Sequence, residues 1–222
     1  STRSAVRKLV TAAAGANGGT PIVEATRFLG CAFAMTFTQP ISPSEGMIWP
    51  SAGVVLVAPG GVSSADGQQL AGLLGLRSLS DAAGRAADPN AALTALQTEP
   101  SGWLLPLSVD PAAELAQPGC WVDALAAWRQ PVVLQLQVAQ ATAGPARAYA
   151  ALLEAAQVPL VGLVQLGEPW QPQRRRADGL PWLGWLPAND RDPEAAAALR
   201  LALITRWRLS SARAAGHVHP AA

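Results

Sequence analysis

Two apolar runs separated by an Ala-rich segment constrain the fold of this chain more than any other feature. The first run covers residues 131–138 and the second covers residues 158–166. Continuous Val and Leu runs of this length are typical of strands buried on both faces, and a parallel sheet covered by crossover helices is the common way to bury both. Because the segment between them has helical character, we predict a strand, a helix and a parallel strand.

The same alternation extends along most of the chain. Further strands are predicted at residues 53–58, 102–107 and 181–187, where short apolar runs end in Pro, Ala or Leu beside turn residues. Helices are predicted at about residues 64–76, 89–97, 111–128 with an interruption near 117–119, 145–156 and 193–209. The pattern predicts a three-layer α/β fold with a mostly parallel, doubly wound sheet and helices on both faces. A ligand site is expected at the carboxyl ends of the strands.

Composition divides the 222 residues into three parts. Residues 1–50 are rich in Ala, Gly, Thr and Pro, and we predict a poorly specified N-terminal extension there. Residues 51–212 are predicted to form one α/β domain, a size that can bury a substantial core. Residues 213–222 are predicted to be a flexible C-terminal tail. The chain begins with Ser rather than Met, so a preceding segment is an open alternative.

Composition also argues against several classes of function. Sixteen Lys and Arg residues balance 15 Asp and Glu residues, which leaves a net charge of +1 and no field that would attract nucleic acid or an anionic membrane. No apolar stretch approaches the roughly 20 residues of a membrane span. Cys31 and Cys120 belong to no metal-binding motif. We therefore expect a cytoplasmic protein that binds a small molecule or nucleotide, with a homo-oligomer as an open alternative.

The loop after the first predicted strand lies where a phosphate-binding loop would lie. Gly61, Ser63 and Ser64 offer backbone N–H groups and hydroxyls to an anion at a helix start. Gln68 and Gln69, however, stand where a P-loop has its Lys and its Mg²⁺-binding hydroxyl. ATP hydrolysis is therefore not expected at this loop, and both an anion site and an ordinary capped turn remain open.

Two charged segments are further candidates. Glu99 lies beside Gly102 at the start of a predicted strand, and its carboxylate suits a hard cation such as Mg²⁺. Arg174, Arg175 and Arg176 lie in a Pro- and Gln-rich connector and can clamp a phosphate or carboxylate through forked hydrogen bonds. A solvated loop residue is the alternative for Glu99, and a solvated loop is the alternative for the arginines.

Tryptophans flank the arginine cluster. Trp170 precedes it, and Trp182 and Trp185 follow it in the last predicted strand. An aromatic wall beside cations can stack a planar base. Packing of the last strand against the sheet explains the same residues.

Several segments resemble one known family. Residues 102–108, 121–123 and 130–134 are similar to the second half of dethiobiotin synthetase, the ATP-dependent ligase of biotin synthesis. Residues 36–43 resemble its Phe-x-x-Pro-x-Ser-Pro-His segment near the substrate, and residues 181–187 resemble its Pro-x-Leu-Gly-x-x-Pro loop near the adenine. The similarity covers roughly residues 36–187.

The resemblance implies a member of the wider P-loop NTPase superfamily that uses ATP and Mg²⁺. It implies substrate contacts at Ser42 and Pro43 and a base near Gly184 and Pro187. It also implies phosphates near the loop of Gly61, Ser63 and Ser64 or near Gly102, with a metal at Glu99.

Two departures from the family pattern limit what the resemblance implies. The family's N-terminal P-loop is absent, and Ser44 replaces the His of the Ser-Pro-His segment. The resemblance therefore implies a nucleotide-binding protein with a degenerate ligase motif. A non-catalytic α/β scaffold or regulatory partner is the alternative, and a transferase that holds a phosphorylated substrate at the arginine cluster is a third possibility.

Overall fold

The computed structural model describes residues 51–80, 87–115, 119–142, 144–186 and 192–216. These residues form a six-stranded sheet in which every paired strand runs parallel to its neighbour. The predicted doubly wound α/β fold is therefore confirmed. Residues 1–50, including Ser42 and Pro43, lie outside the described residues, as does Pro187.

The elements alternate along the chain. The strands are β1 Gly53–Val57, β2 Arg77–Ser78, β3 Trp103–Pro106, β4 Val132–Gln137, β5 Leu160–Leu166 and β6 Trp182–Leu186. The helices are α1 Ser64–Leu74, α2 Pro89–Leu96, α3 Trp121–Ala127, α4 Val138–Thr142, α5 Gly144–Ala155, α6 Pro172–Ala177 and α7 Pro193–Gly216. The strand order is β2-β3-β1-β4-β5-β6.

The core has two halves, one on each face of the sheet. Strand β1 is buried along its whole length, and successive side chains point to opposite faces. Val55 and Val57 pack in one half with residues of α2, α3 and α5, whereas Val54 and Leu56 pack in the other half with residues of α1 and α7. Burial on both faces explains why β1 is a continuous Val/Leu run rather than an alternating one.

Polar side chains fix the starts of three helices. Ser63 Oγ accepts a hydrogen bond from the Asp66 N–H (3.1 Å) at α1. Asp88 Oδ1 accepts from the Ala91 N–H (3.0 Å) at α2, and Asp192 Oδ1 accepts from the Ala195 N–H (2.9 Å) at α7. Each contact satisfies a backbone donor that has no partner within the helix, so Ser63, Asp88 and Asp192 are the N-caps of these helices.

Several elements differ from the predictions. Among the described residues of the helix predicted at 111–128, those of α3 are helical. Residues 111–115 are not helical, and Asp110 Oδ1 accepts from the Ala112 N–H (2.9 Å) at the turn that begins there. The arginine cluster forms helix α6 rather than a connector. The short elements β2 and α4 were not predicted, and α7 continues to Gly216 instead of ending near residue 209.

The topology places a switch point at the middle of the sheet. From β1 the chain crosses to β2 on one side, and from β4 it continues to β5 and β6 on the other side. Ligands of open α/β sheets bind at the carboxyl ends of such diverging strands. The crevice between the ends of β1 and β4 is therefore the first place to search for a site.

Candidate functional site

The loop after β1 approaches the loop after β3 closely. Gly60 and Gly61 both have positive φ, at 80° and 98°. A Cβ on Gly61 would lie 2.4 Å from the carbonyl oxygen of Ser108, so only glycine fits there. The two loops meet at the carboxyl edge of the sheet.

Asp110 fills the position where this loop would receive an anion. Its Oδ2 accepts hydrogen bonds from the Gly60 N–H (2.9 Å) and from the Tyr149 hydroxyl (2.5 Å), and its Oδ1 accepts from the Ala112 N–H. Burial raises the pKa of Asp110, but the hydrogen bonds from Tyr149, Ala112 and Gly60 together outweigh it, and the net pKa is lowered. Burial, followed by the hydrogen bond to Asp110, raises the pKa of Tyr149 to about 12. The ionised carboxylate of Asp110 is therefore the anionic hydrogen-bond acceptor for the loop after β1.

Two further N–H groups of the loop donate to carbonyl groups of the protein. The Gly61 N–H donates to the Ala58 carbonyl (2.9 Å), and the Val62 N–H donates to the Leu107 carbonyl (2.7 Å). Ser63 Oγ caps α1, and Ser64 is the exposed first residue of that helix. A phosphate at Gly61, Ser63 and Ser64 would have to displace these contacts and approach the negative charge of Asp110. The geometry therefore favours the capped-turn interpretation over the anion site.

Polar contacts also span the crevice between β1 and β4. Gln135, buried on β4, donates through Nε2 to Asp66 Oδ2 on α1 (3.3 Å). Gln140 donates through Nε2 to the Pro59 carbonyl (3.4 Å), and its Oε1 accepts from the Gln137 N–H (2.9 Å). Side chains of the protein itself therefore form hydrogen bonds across the crevice between the ends of β1 and β4.

Glu99 and Gly102 lie at the amino ends of the strands, opposite the carboxyl ends where the loop after β1 lies. Both precede β3, whereas Gly61 and Ser63 follow β1, and the two strands run parallel. Because a strand rises about 3.3 Å per residue, the ends of the sheet at Gly102 and Leu107 lie roughly 16 Å apart. A metal at Glu99 and a phosphate at the β1 loop therefore cannot form a single site, whereas the alternative phosphate position near Gly102 lies at the same end of the strands as Glu99.

Glu99 has a different partner. Its Oε2 accepts from Arg77 NH2 at 2.7 Å in a solvent-exposed ion pair. The described residues contain no group of three or more His, Cys, Asp or Glu side chains placed to hold a metal ion. Among the described residues, Glu99 thus pairs with a cation, and the Mg²⁺ that the family resemblance implied at Glu99 stays a prediction.

A cleft lies at β6, the edge strand of the sheet, and is lined by Trp170, Trp182 and Trp185. This tryptophan cleft has a volume of about 320 Å³. Trp170 and Trp182 meet edge to face, with ring centroids 6.1 Å apart. Its wall includes Trp170, Trp182, Trp185, Arg175, Arg176 and Leu199.

Gly184 belongs to the wall of this cleft. It pairs with Val164 of β5 beside an irregularity in the strand register, and its φ is 152°. A Cβ at Gly184 would lie 3.4 Å from Leu199 Cδ1, about van der Waals contact, so the backbone conformation rather than the space beside α7 favours glycine here. The predicted base-binding residue Gly184 therefore lies at the same cleft as the tryptophans.

The three arginines have different environments. Arg175 is 3% exposed and donates from Nε (3.1 Å) and NH2 (2.7 Å) to Gln165 Oε1, and from NH1 to the Ala141 carbonyl (2.5 Å). Arg176 is exposed and lines the cleft, whereas Arg174 is exposed and does not. The predicted three-arginine clamp is therefore divided, because Arg175 holds α6 to the sheet.

Cys120 lies within the described residues, and its thiol is a poor candidate for a nucleophile. Cys120 Sγ donates to Asp123 Oδ2 (3.3 Å) at the start of α3. Burial, and then the neighbouring Asp123 carboxylate, raise the pKa of the Cys120 thiol. Since the thiolate is the reactive form, the raised pKa keeps Cys120 in its less reactive thiol form.

No protein-family model matches this chain, and no curated protein matches it by sequence. The resemblance to dethiobiotin synthetase stays a prediction. In the described part of the chain, no helix is both long and apolar enough to cross a membrane.

Sequence reasoning did not find the most polar part of the carboxyl edge. Asp110 and Tyr149 were not predicted as interacting residues, although Asp110 accepts three of the hydrogen bonds described above and Tyr149 donates one of them. One signal was present for Asp110, which follows the apolar run at residues 102–107 within a few residues. The strand-end rule that directed attention to Gly61 applies equally to Asp110.

Proposed function

We propose that the protein binds a nucleotide, or a ligand with a similar planar aromatic ring, in the tryptophan cleft, without phosphoryl transfer at the β1 loop. The observation that carries the proposal is the convergence of Trp170, Trp182 and Trp185 with Gly184 around one concave surface. Of these residues, the family resemblance implied Gly184 near the adenine, whereas the three tryptophans were predicted from their position beside the arginine cluster. The cleft brings both sets of residues together.

The size and chemistry of the cleft support a base or nucleoside as the bound group. A volume of about 320 Å³ is at the small end of the range for small-molecule sites. Stacking of a base on an aromatic side chain contributes about 1–3 kcal/mol. Among the described residues, Trp185 has no ring or cation contact comparable to those of Trp170 and Trp182, so its face is the preferred stacking surface.

Contacts at the carboxyl ends of the strands support the proposal that the ligase motif of this chain is degenerate. Asp110 takes the Gly60 N–H that a bound phosphate would need, and Glu99 lies at the other edge of the sheet. Binding is therefore expected to be independent of Mg²⁺. ATP is a candidate ligand through its base, and no ligase step is proposed.

Titration of the full chain with adenosine and ATP, followed by tryptophan fluorescence and by thermal shift, tests the proposal. Ligand binding to the native state raises the melting temperature by mass action. We expect saturable binding in wild type, unchanged by Mg²⁺, and a loss of about tenfold in affinity for Trp185→Ala. Trp128→Ala is the matched control, because Trp128 is 37% exposed and lies outside the cleft. Absence of saturable binding in wild type would overturn the proposal.

A non-catalytic scaffold or regulatory partner is the second candidate. The contacts that cross the switch point, above all those of Asp110 and Gln135, favour it because they occupy the usual ligand crevice with protein groups. Such a protein would show no ligand response in the titrations and would keep its partner binding in Trp185→Ala. Sedimentation measurements on the full chain would show whether a second copy is one such partner.

A further inference from the structure

We propose that the ligand of the tryptophan cleft is an anion, a planar aromatic group carrying a phosphate or carboxylate that pairs with Arg176. This inference rests on the proposed function and specifies the class of ligand. The charges that face the cleft carry the argument.

The first step is a positive charge built into the wall. Arg175 is buried, and its main acceptors, Gln165 Oε1 and the Ala141 carbonyl, are neutral. Its guanidinium carbon lies 4.7 Å from the centroid of the Trp182 ring. The nearest described carboxylate, Asp178, is 3.9 Å from Arg175 NH1 and also accepts from Trp182 Nε1 (2.9 Å). One carboxylate thus partly balances this cation.

The second step is the exposed cation at the rim. Arg176 lines the cleft and forms no ion pair with another described residue. The described residues of the cleft wall include two arginines and no carboxylate. A concave surface lined by positive charges attracts anionic ligands and binds them more tightly than their neutral analogues.

The third step is geometry. Trp185 and Arg176 belong to the same cleft, so one ligand can place a ring on the indole and an anionic group on the guanidinium. Arg pairs with phosphate and carboxylate through two parallel hydrogen bonds, which fixes orientation as well as charge. Arg175 cannot serve in this way, because its donors already contact Gln165 and Ala141.

The test compares adenosine with 5′-AMP on the full chain. We expect wild type to bind AMP about tenfold more tightly than adenosine, with the difference decreasing as salt increases. Arg176→Gln should reduce the ratio of AMP to adenosine affinity from about tenfold to about one, because it removes the cation that pairs with the phosphate. Arg174→Gln is the matched control, since it removes one exposed arginine from the same helix without touching the cleft, and it should keep the preference.

The outcomes separate this inference from the proposed function. Equal affinities of wild type for adenosine and AMP overturn the inference and leave the proposed function standing. Failure of both ligands to bind overturns the proposed function and the inference with it. An equal loss of preference in Arg174→Gln and Arg176→Gln contradicts a specific role for Arg176, because a diffuse charge effect would act through either residue. Melting curves of each variant verify that the fold is retained.

Discussion

The Tyr149 hydroxyl donates a 2.5 Å hydrogen bond to Asp110 Oδ2, and this contact joins α5 to the loop that follows β3. The same oxygen accepts the Gly60 N–H, so the pair also fixes the loop after β1. Three segments that are distant in sequence thus meet at one carboxylate. The loop is held in its turn conformation without any bound phosphate.

Tyr149→Phe should destabilise the protein by about 1–2 kcal/mol, because it removes the donor to an ionised, half-buried acceptor. Urea denaturation measures the change as a lower midpoint with an unchanged slope. Combination with Asp110→Asn provides the control, since two residues in direct contact should give a non-additive double mutant. Full additivity would mean that the hydrogen bond contributes nothing to stability.

The contribution of Asp110 should depend on pH with a defined sign. Its hydrogen bonds hold the folded pKa below the value of about 3.9 expected for an unfolded Asp. The stability that the carboxylate contributes is therefore present above about pH 4 and is lost as the pH falls through the folded pKa.

The unfolding free energies of wild type and Asp110→Asn, measured between pH 3 and pH 8, test this sign. We expect a constant difference from about pH 5 upward and a smaller difference below about pH 4. Asp88→Asn is the control, because Asn caps a helix as well as Asp does and should change stability little at any pH. A difference that grows on acidification would contradict the lowered pKa of Asp110.

Arg175→Leu should destabilise the protein by about 3 kcal/mol, because it leaves the buried Gln165 and the Ala141 carbonyl without their donor. Arg174→Leu, one residue away and exposed, should change stability by less than about 0.5 kcal/mol. Arg175→Lys should recover only part of the loss, since an ammonium lacks the planar fork that reaches both acceptors. Denaturation midpoints compare the three variants, and equal effects at positions 174 and 175 would refute the interior role of Arg175.

Local sequence signals predicted the architecture well. The Val and Leu runs at β1, β4 and β5 are buried because helices cover both faces of the parallel sheet. Each of these strands therefore consists mainly of apolar residues, which the sequence shows directly. The caps Asp88 and Asp192 were equally predictable, since an N-cap acts on donors two or three residues away.

The polar sites were less predictable because they depend on partners from distant segments. Arg175 lies in a run of three arginines, and the acceptors that select it for burial, Gln165 on β5 and the Ala141 carbonyl on α4, come from other segments. Glu99 was placed with the phosphates because its loop resembled a family motif. The direction of β3 puts it at the other edge of the sheet, where Arg77 is its partner.

Two glycines of α1 should respond to the same substitution with opposite signs. A Cβ on Gly67 would lie 2.7 Å from Pro106 Cβ, so Gly67→Ala should push α1 away from β3 and destabilise the protein by about 1–3 kcal/mol. Gly72 has no atom within 4 Å of that position, so Gly72→Ala should stabilise by roughly 0.5–1 kcal/mol through helix propensity alone. Thermal or urea denaturation of both variants measures the contrast. Stabilisation by Gly67→Ala would mean that α1 does not approach β3 as closely as Pro106 requires.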